Sequence, residues 1–188
     1  MTGLGRAEKN RFAMDRTELL VGVGVIVAIA AFVIPAYFIW LPNYRLNSAA
    51  IDLYASFEMA KQTAIERNTH CAILFYQDIP PQSGKYYDYV VYVDSNKNFV
   101  IDDDEEVIKK VVLGKYKGVR FDLSKGNRIG VDFSQNPNAS GSPMIAFGLD
   151  GLPLDSNGHV TTGRVFLKNS RDKIFEVVVS LAGKVTVQ

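Results

Sequence analysis

A single cysteine, Cys71, and two histidines, His70 and His159, are all that the chain offers toward disulfide, thiolate or imidazole chemistry. One cysteine cannot close an internal disulfide, and at the head of the apolar run Cys71–Tyr76 it reads as a small buried residue. No second cysteine makes a metal-ligating pair with it, no nucleophile has a base at motif spacing, and no glycine-rich phosphate loop follows a strand. The parts of an active site are missing, so catalysis is not expected. Charge of one sign is missing too: 21 basic residues face 20 acidic ones for a net +1. No global field therefore draws the molecule to nucleic acid or to an acidic surface.

Charge is absent altogether from Leu19 to Leu41, 23 residues in succession. About 20 apolar residues in a helix span the hydrocarbon of a bilayer, so this segment predicts a membrane helix. Arg6, Lys9, Arg11 and Arg16 precede it, and the next basic residue is Arg45. The positive-inside bias then places the N-terminus in the cytoplasm and the rest of the chain outside. The sequence following the run, "AYFIWLPNY", is not the small-residue cleavage site of a secretory signal. Two features are unusual for a span: a glutamate, Glu18, at its start and a proline, Pro35, within it.

Helical periodicity continues past the apolar run. Leu46, Ala50, Leu53, Phe57, Ala60 and Ala64 are spaced 4, 3, 4, 3, 4 and form one stripe, while Arg45, Asp52, Glu58, Lys61, Gln62 and Glu66 fall elsewhere around the helix. Asn68 suits a helix end because Asn tolerates the left-handed conformation. A helix from Leu19 to Asn68 would be about 75 Å long at 1.5 Å per residue, with Pro35 and Pro42 as kink points. Beyond it the segments "CAILFY", "YDYVVYVD", "EVIKKVVL", "GVRFDL", "PMIAFG", "RVFLKN", "KIFEVVVSL" and "GKVTV" are short and rich in β-branched and aromatic residues, with Gly, Pro, Asn and Asp between them. They predict antiparallel strands, and "QNPNASGSP" (Gln135 to Pro143) reads as a loop. The fold class is α+β.

A long helix, half membrane span and half amphipathic, carrying a β-domain resembles type IV pilins and the pseudopilins of type II secretion. That family has a short basic leader, Glu at the fifth mature position and often Pro at the twenty-second. A cut between Ala13 and Met14 puts Glu18 and Pro35 in both places at once. Ala13 stands where the family prefers Gly, and Asp15 and Arg16 where it has apolar residues or Thr. "RLNSAAIDLYASFEMAKQTAIERNTHCAILF" (Arg45 to Phe75) and the closing "GRVFLKN…KIFEVVVSLAGKVTV" resemble the minor pseudopilins of the GspH and FimT group. The resemblance implies a leader over 1–13, a transmembrane and filament-core helix over 14–42, its amphipathic continuation over 43–68 and a periplasmic β-domain over 69–188. It implies processing at Ala13 and Met14 by prepilin peptidase, methylation of Met14, and assembly through Glu18 and Pro35. The implied partners are other pseudopilins or minor pilins and the inner-membrane assembly platform. The implied location is the bacterial inner membrane, single-pass, and then a pseudopilus or pilus. In such filaments the glutamate faces the free amino group of a neighbouring subunit's first residue.

One loop is a candidate site on its own pattern. In "DSNKNFVIDDDE", Asp94, Asn96, Asn98, Asp102 and Glu105 match side-chain positions 1, 3, 5, 9 and 12 of a calcium loop, with the Val100 carbonyl at position 7. Phe99 occupies position 6, where Gly is usual. The flanks read as strands, and Asp103, Asp104 and Glu106 also fit a solvated acidic turn. Calcium is thus the one cofactor the sequence raises. For nucleic acid, the basic residues Arg164, Lys168, Arg171, Lys173 and Lys184 gather toward the C-terminus, but Asp172 and Glu176 interrupt them and no aromatic stacking array accompanies them. Two alternatives to a pseudopilin stand beside it: a FimT-like minor type IV pilin acting in pilus assembly or DNA uptake, and an uncleaved single-span periplasmic calcium-binding module.

Overall fold

Helix α1 runs from Arg16 to Arg67, through both Pro35 and Pro42, in a computed structural model that describes residues 16–78, 86–136 and 141–188. The Ala13–Met14 junction and the residues expected to form a leader, 1–13, lie outside the described residues. The chain divides into two units, Met1–Trp40 and Leu41–Gln188. In the first, the described residues are helical and their large apolar side chains are exposed, Leu20 and Phe32 among them. The second holds the core. Leu46, Ala50, Leu53, Phe57, Ala60 and Ala64, the whole expected stripe, are buried, and Ala49 and Ser56 join them on its flanks. Burying each of the larger side chains contributes about 1.5–3 kcal/mol, which fixes this face of the helix against the strands.

The helix ends as its sequence predicts. Asn68 takes a left-handed φ of 52°, the Asn68 N–H reaches the Ile65 carbonyl at 3.4 Å, and the Thr69 N–H reaches the Ala64 carbonyl at 3.2 Å. These are the two bonds of a Schellman cap.

Among the described residues ten strands follow: β1 His70–Asp78, β2 Tyr86–Asp94, β3 Val107–Val111, β4 Arg120–Phe121, β5 Gln135–Asn136, β6 Ser142–Phe147, β7 Pro153–Leu154, β8 Gly163–Lys168, β9 Ile174–Val179 and β10 Val185–Val187. They form two antiparallel sheets, ordered β3-β2-β1-β6-β5 with β7 on β6, and β10-β9-β8-β4. Strand β1 explains its own composition. Cys71, Ile73 and Phe75 face the core shared with the helix and the second sheet, whereas Ala72 and Leu74 face a smaller cluster on the other side. A strand buried on both faces reads as an unbroken apolar run.

Two expectations are corrected. The "QNPNASGSP" segment is not loop throughout, because Gln135 pairs with Pro143 and Asn136 with Ser142. The strand expected over "EVIKKVVL" stops at Val111, and a 3-10 turn occupies Leu113–Lys115. Its cause is local: the Leu113 N–H donates to Asp88 Oδ2 at 2.7 Å instead of to a ladder partner.

Candidate functional site

Glu18 and Pro35 both lie within α1, and Glu18 is exposed in its first turn. The helix is long and apolar enough to cross a membrane. Gly22 and Gly24 have open space where a Cβ would stand. A second helix could therefore approach the backbone closely there.

The loop Asp94–Glu105 closes over the outer face of the first sheet. Phe99 is buried there with Ala72, Leu74, Tyr92, Met144 and Ala146, and its ring stacks on His70 at 5.5 Å. Its backbone carries a left-handed φ of 61°, and Lys97 one of 63°. Phe99 thus makes the sharp turn that position 6 of a calcium loop requires, a conformation for which a bulky residue needs outside support. Buried contacts supply that support. Asp94, fully buried, accepts the Asn98 N–H at 3.1 Å and the Phe99 N–H at 3.0 Å. Asp102 Oδ2 accepts from the side-chain amides of Asn96 at 2.7 Å and Asn98 at 2.8 Å. Glu105 accepts the Ser95 N–H at 2.9 Å and the Asp102 N–H at 3.3 Å, and Asn98 Oδ1 accepts the Val100 N–H at 2.7 Å. Burial raises the Asp94 and Glu105 carboxyls above the usual range despite these donors. The Tyr92 hydroxyl, beneath the loop, is buried with no hydrogen-bond partner among the described residues. So all five predicted side chains sit on one folded turn, but their carboxylates are satisfied by N–H groups of the loop. Among the described residues no three His, Cys, Asp or Glu side chains gather where they could hold a metal ion.

The basic set is divided. Arg164 meets Asp132 at 3.5 Å and Glu176 at 3.3 Å, and Lys168 meets Asp172 at 2.9 Å. Arg171 and Lys173 remain exposed on the β8–β9 turn, and Lys184 is exposed beyond it. Cys71 is buried and its thiol is pushed up to about 12, which makes it inert. Burial pushes the His70 imidazole below its ordinary value, and His159 is an exposed turn residue.

Sequence reasoning missed a polar cluster that joins the helix to the first sheet. Asp52 Oδ1 receives Lys109 Nζ at 2.9 Å, Asp52 Oδ2 receives Lys115 Nζ at 3.0 Å, and Lys109 also donates to Ser56 Oγ at 2.7 Å. The Tyr89 hydroxyl lies 3.2 Å from Ser56 Oγ and donates to Asp52 Oδ2 at 3.3 Å. The only signal was an acid beside an apolar helical stripe.

Among curated proteins none matches this sequence. The crystal structure of the type IV minor pilin FimU from Pseudomonas aeruginosa (strain PAO1) is similar at a TM-score of 0.48 and 14% identity, over 79% of this chain and 92% of that one. The model of one family, described as type II transport protein GspH, matches residues 49–183. That match takes in most of the buried part of α1, strands β1 to β9 and the loop over the first sheet, so the chain belongs to the type II transport protein GspH family.

Proposed function

We propose that the chain is a minor pseudopilin that enters a type II secretion pseudopilus, or its tip complex, through its N-terminal helix. Residues 1–13 are removed by prepilin peptidase, the Met14 amine is methylated, and the assembly platform of the inner membrane receives the subunit. The N-terminus then faces the cytoplasm and the β-domain the periplasm. The observation that carries this reading is the helical segment Leu19–Trp40, apolar and exposed along its length, in a chain of the GspH family. A carboxylate at the bilayer centre costs roughly 2.5–3.5 kcal/mol on insertion scales, so Glu18 at the edge of such a segment gains by meeting an ammonium. The Met14 amine of a neighbouring copy supplies one. Mass spectrometry of protein from its own membrane should show a chain that begins at methylated Met14. Glu18→Ala should reach the membrane at normal levels yet fail to assemble, read as loss of subunit cross-links. Persistence of residues 1–13 in the working protein, or normal assembly of the variant, overturns the reading.

The turn at Phe99 favours a second, compatible proposal, that the Asp94–Glu105 loop holds a structural calcium ion. The ion would take the remaining lone pairs of Asp94, Asp102 and Glu105, with the Asn96 and Asn98 side-chain oxygens and the Val100 carbonyl turned to it. Its ligands must be ionised. Since burial raises the Asp94 and Glu105 carboxyls, binding should release protons and tighten as pH rises through their titration. Calcium at a hundred times its Kd should stabilise the full chain in detergent by about 2.7 kcal/mol, seen as a rise in Tm. That rise should vanish in Asp94→Ala/Glu105→Ala; an equal response in both proteins ends the idea.

A further inference from the structure

The net charge of +1 conceals a polarised β-domain. At the end where the chain enters it, Asn43 Oδ1 accepts from Asn169 on the β8–β9 turn at 3.0 Å, and Arg45 donates to the Lys117 carbonyl at 3.4 Å. Those two contacts draw Lys117, Arg120, Arg171 and Lys173 to the same end. Arg120 lies opposite Lys168 in the β4–β8 pair, and the position of a Gly118 Cβ would be 3.4 Å from Ser170. All four cations are exposed, and none has a carboxylate within ion-pair distance among the described residues. The carboxylates nearest these segments are held elsewhere: Asp52 by Lys109 and Lys115, Asp88 by the Leu113 N–H, Asp172 by Lys168, while Asp122 is buried and accepts from Ser124. Acidic residues collect at the other end of the helix instead. Glu106 pairs with Arg67, Thr69 bonds the Asp94 carbonyl, and Asp103 and Asp104 are exposed beside them. From Arg45 to Arg67 the helix separates the two ends by about 33 Å.

We propose that the basic end of the β-domain docks on anionic phospholipid headgroups. The inference rests on the reading that Leu19–Leu41 spans a membrane. If it does, Asn43 and Arg45 follow within a helical turn of the hydrocarbon edge, at headgroup depth, because the polar layer on each side is roughly 5–8 Å thick. The turns bonded to them then meet the lipid surface. An anionic surface attracts their unpaired cations and repels the acidic end, so charge alone selects this end. The acidic end of a second copy is the competing occupant. It has complementary charge, but chain connectivity does not hold it there.

The test uses the full chain in vesicles of phosphatidylcholine, with or without phosphatidylglycerol, carrying a nitroxide on some lipid headgroups. Buried Cys71 does not label, so a dye goes selectively on Ser170→Cys, or on Asp103→Cys as the distant control. Phosphatidylglycerol should increase quenching at position 170 and not at 103, and added salt should abolish the increase. In Lys117→Gln/Arg120→Gln/Arg171→Gln the ratio of docked to undocked protein should fall about five-fold for each cation removed. All three positions are exposed, and circular dichroism should match wild type. Protein that floats with neither vesicle overturns the membrane reading, and docking with it. Protein that floats with both but shows the same quenching at position 170 overturns docking alone. Energy transfer between dyes at 170 and 103 that grows with protein density assigns the cations to a second copy and also overturns the lipid proposal.

Discussion

Asp52 shows how one side chain can hold an element in place. It lies on the edge of the buried stripe, and its carboxylate collects Lys109, Lys115 and the Tyr89 hydroxyl. Burial alone would raise its carboxyl, but the hydrogen bonds and charges of Lys109 and Lys115 outweigh that and hold it below the usual range. A carboxyl depressed by folding contributes stability that is present above the unfolded value near 4 and lost as pH falls through the lower folded value. Asp52→Ala should cost about 1.5–3 kcal/mol in urea unfolding at neutral pH, because Lys109 and Lys115 lose the carboxylate that pairs with them and Ser56 Oγ remains as the only side-chain oxygen for Lys109 and Tyr89. The deficit should shrink toward zero as the pH is lowered past the folded value. Adding Lys109→Met should recover part of the loss, since it removes the stranded charge. A variant as stable as wild type at neutral pH would show the cluster to be energetically idle.

The end of α1 turns on backbone conformation and the packing that follows it. Asn68 pays for a left-handed φ that Gly adopts freely. Asn68→Gly should therefore be neutral or stabilising by a few tenths of a kcal/mol, while Asn68→Val should lose about 1–2 kcal/mol. Urea midpoints for the pair check the cap, and equal losses for both would refute it. This helix was legible from its sequence because its 3.6-residue period and its terminator are local signals. Strands β1, β2, β6, β8 and β9 were legible for the same reason, their β-branched and aromatic runs being long enough to show. The two-residue strands β5 and β7 were not, since each exists only through pairing with β6. Nor was the division into two sheets, which depends on long-range partner choice. The Asp94–Glu105 loop was half legible: the spacing of its oxygens is local, but the burial of Phe99 that turns the backbone comes from strands on either side. For Arg164 the interruption by Glu176 was legible, but its second partner, Asp132, was not, being remote in sequence.

The two units differ in what they contribute to folding. No buried residue precedes Leu46 among those described, so the stability of the protein resides in Leu41–Gln188. That fragment should fold by itself, and its unfolding free energy from urea titration should match that of the full chain in detergent to within about 0.5 kcal/mol, as for changes outside the core. Failure of the fragment to unfold cooperatively would mean that residues before Leu41 complete the core.

The buried stripe from Leu46 to Ala64 touches a core built from both sheets. A load along the Leu46–Ala64 segment is therefore met in shear by the full length of that contact. Resistance of this kind is shared by many side chains at once, so this part of the helix cannot be drawn off the sheets one strand at a time.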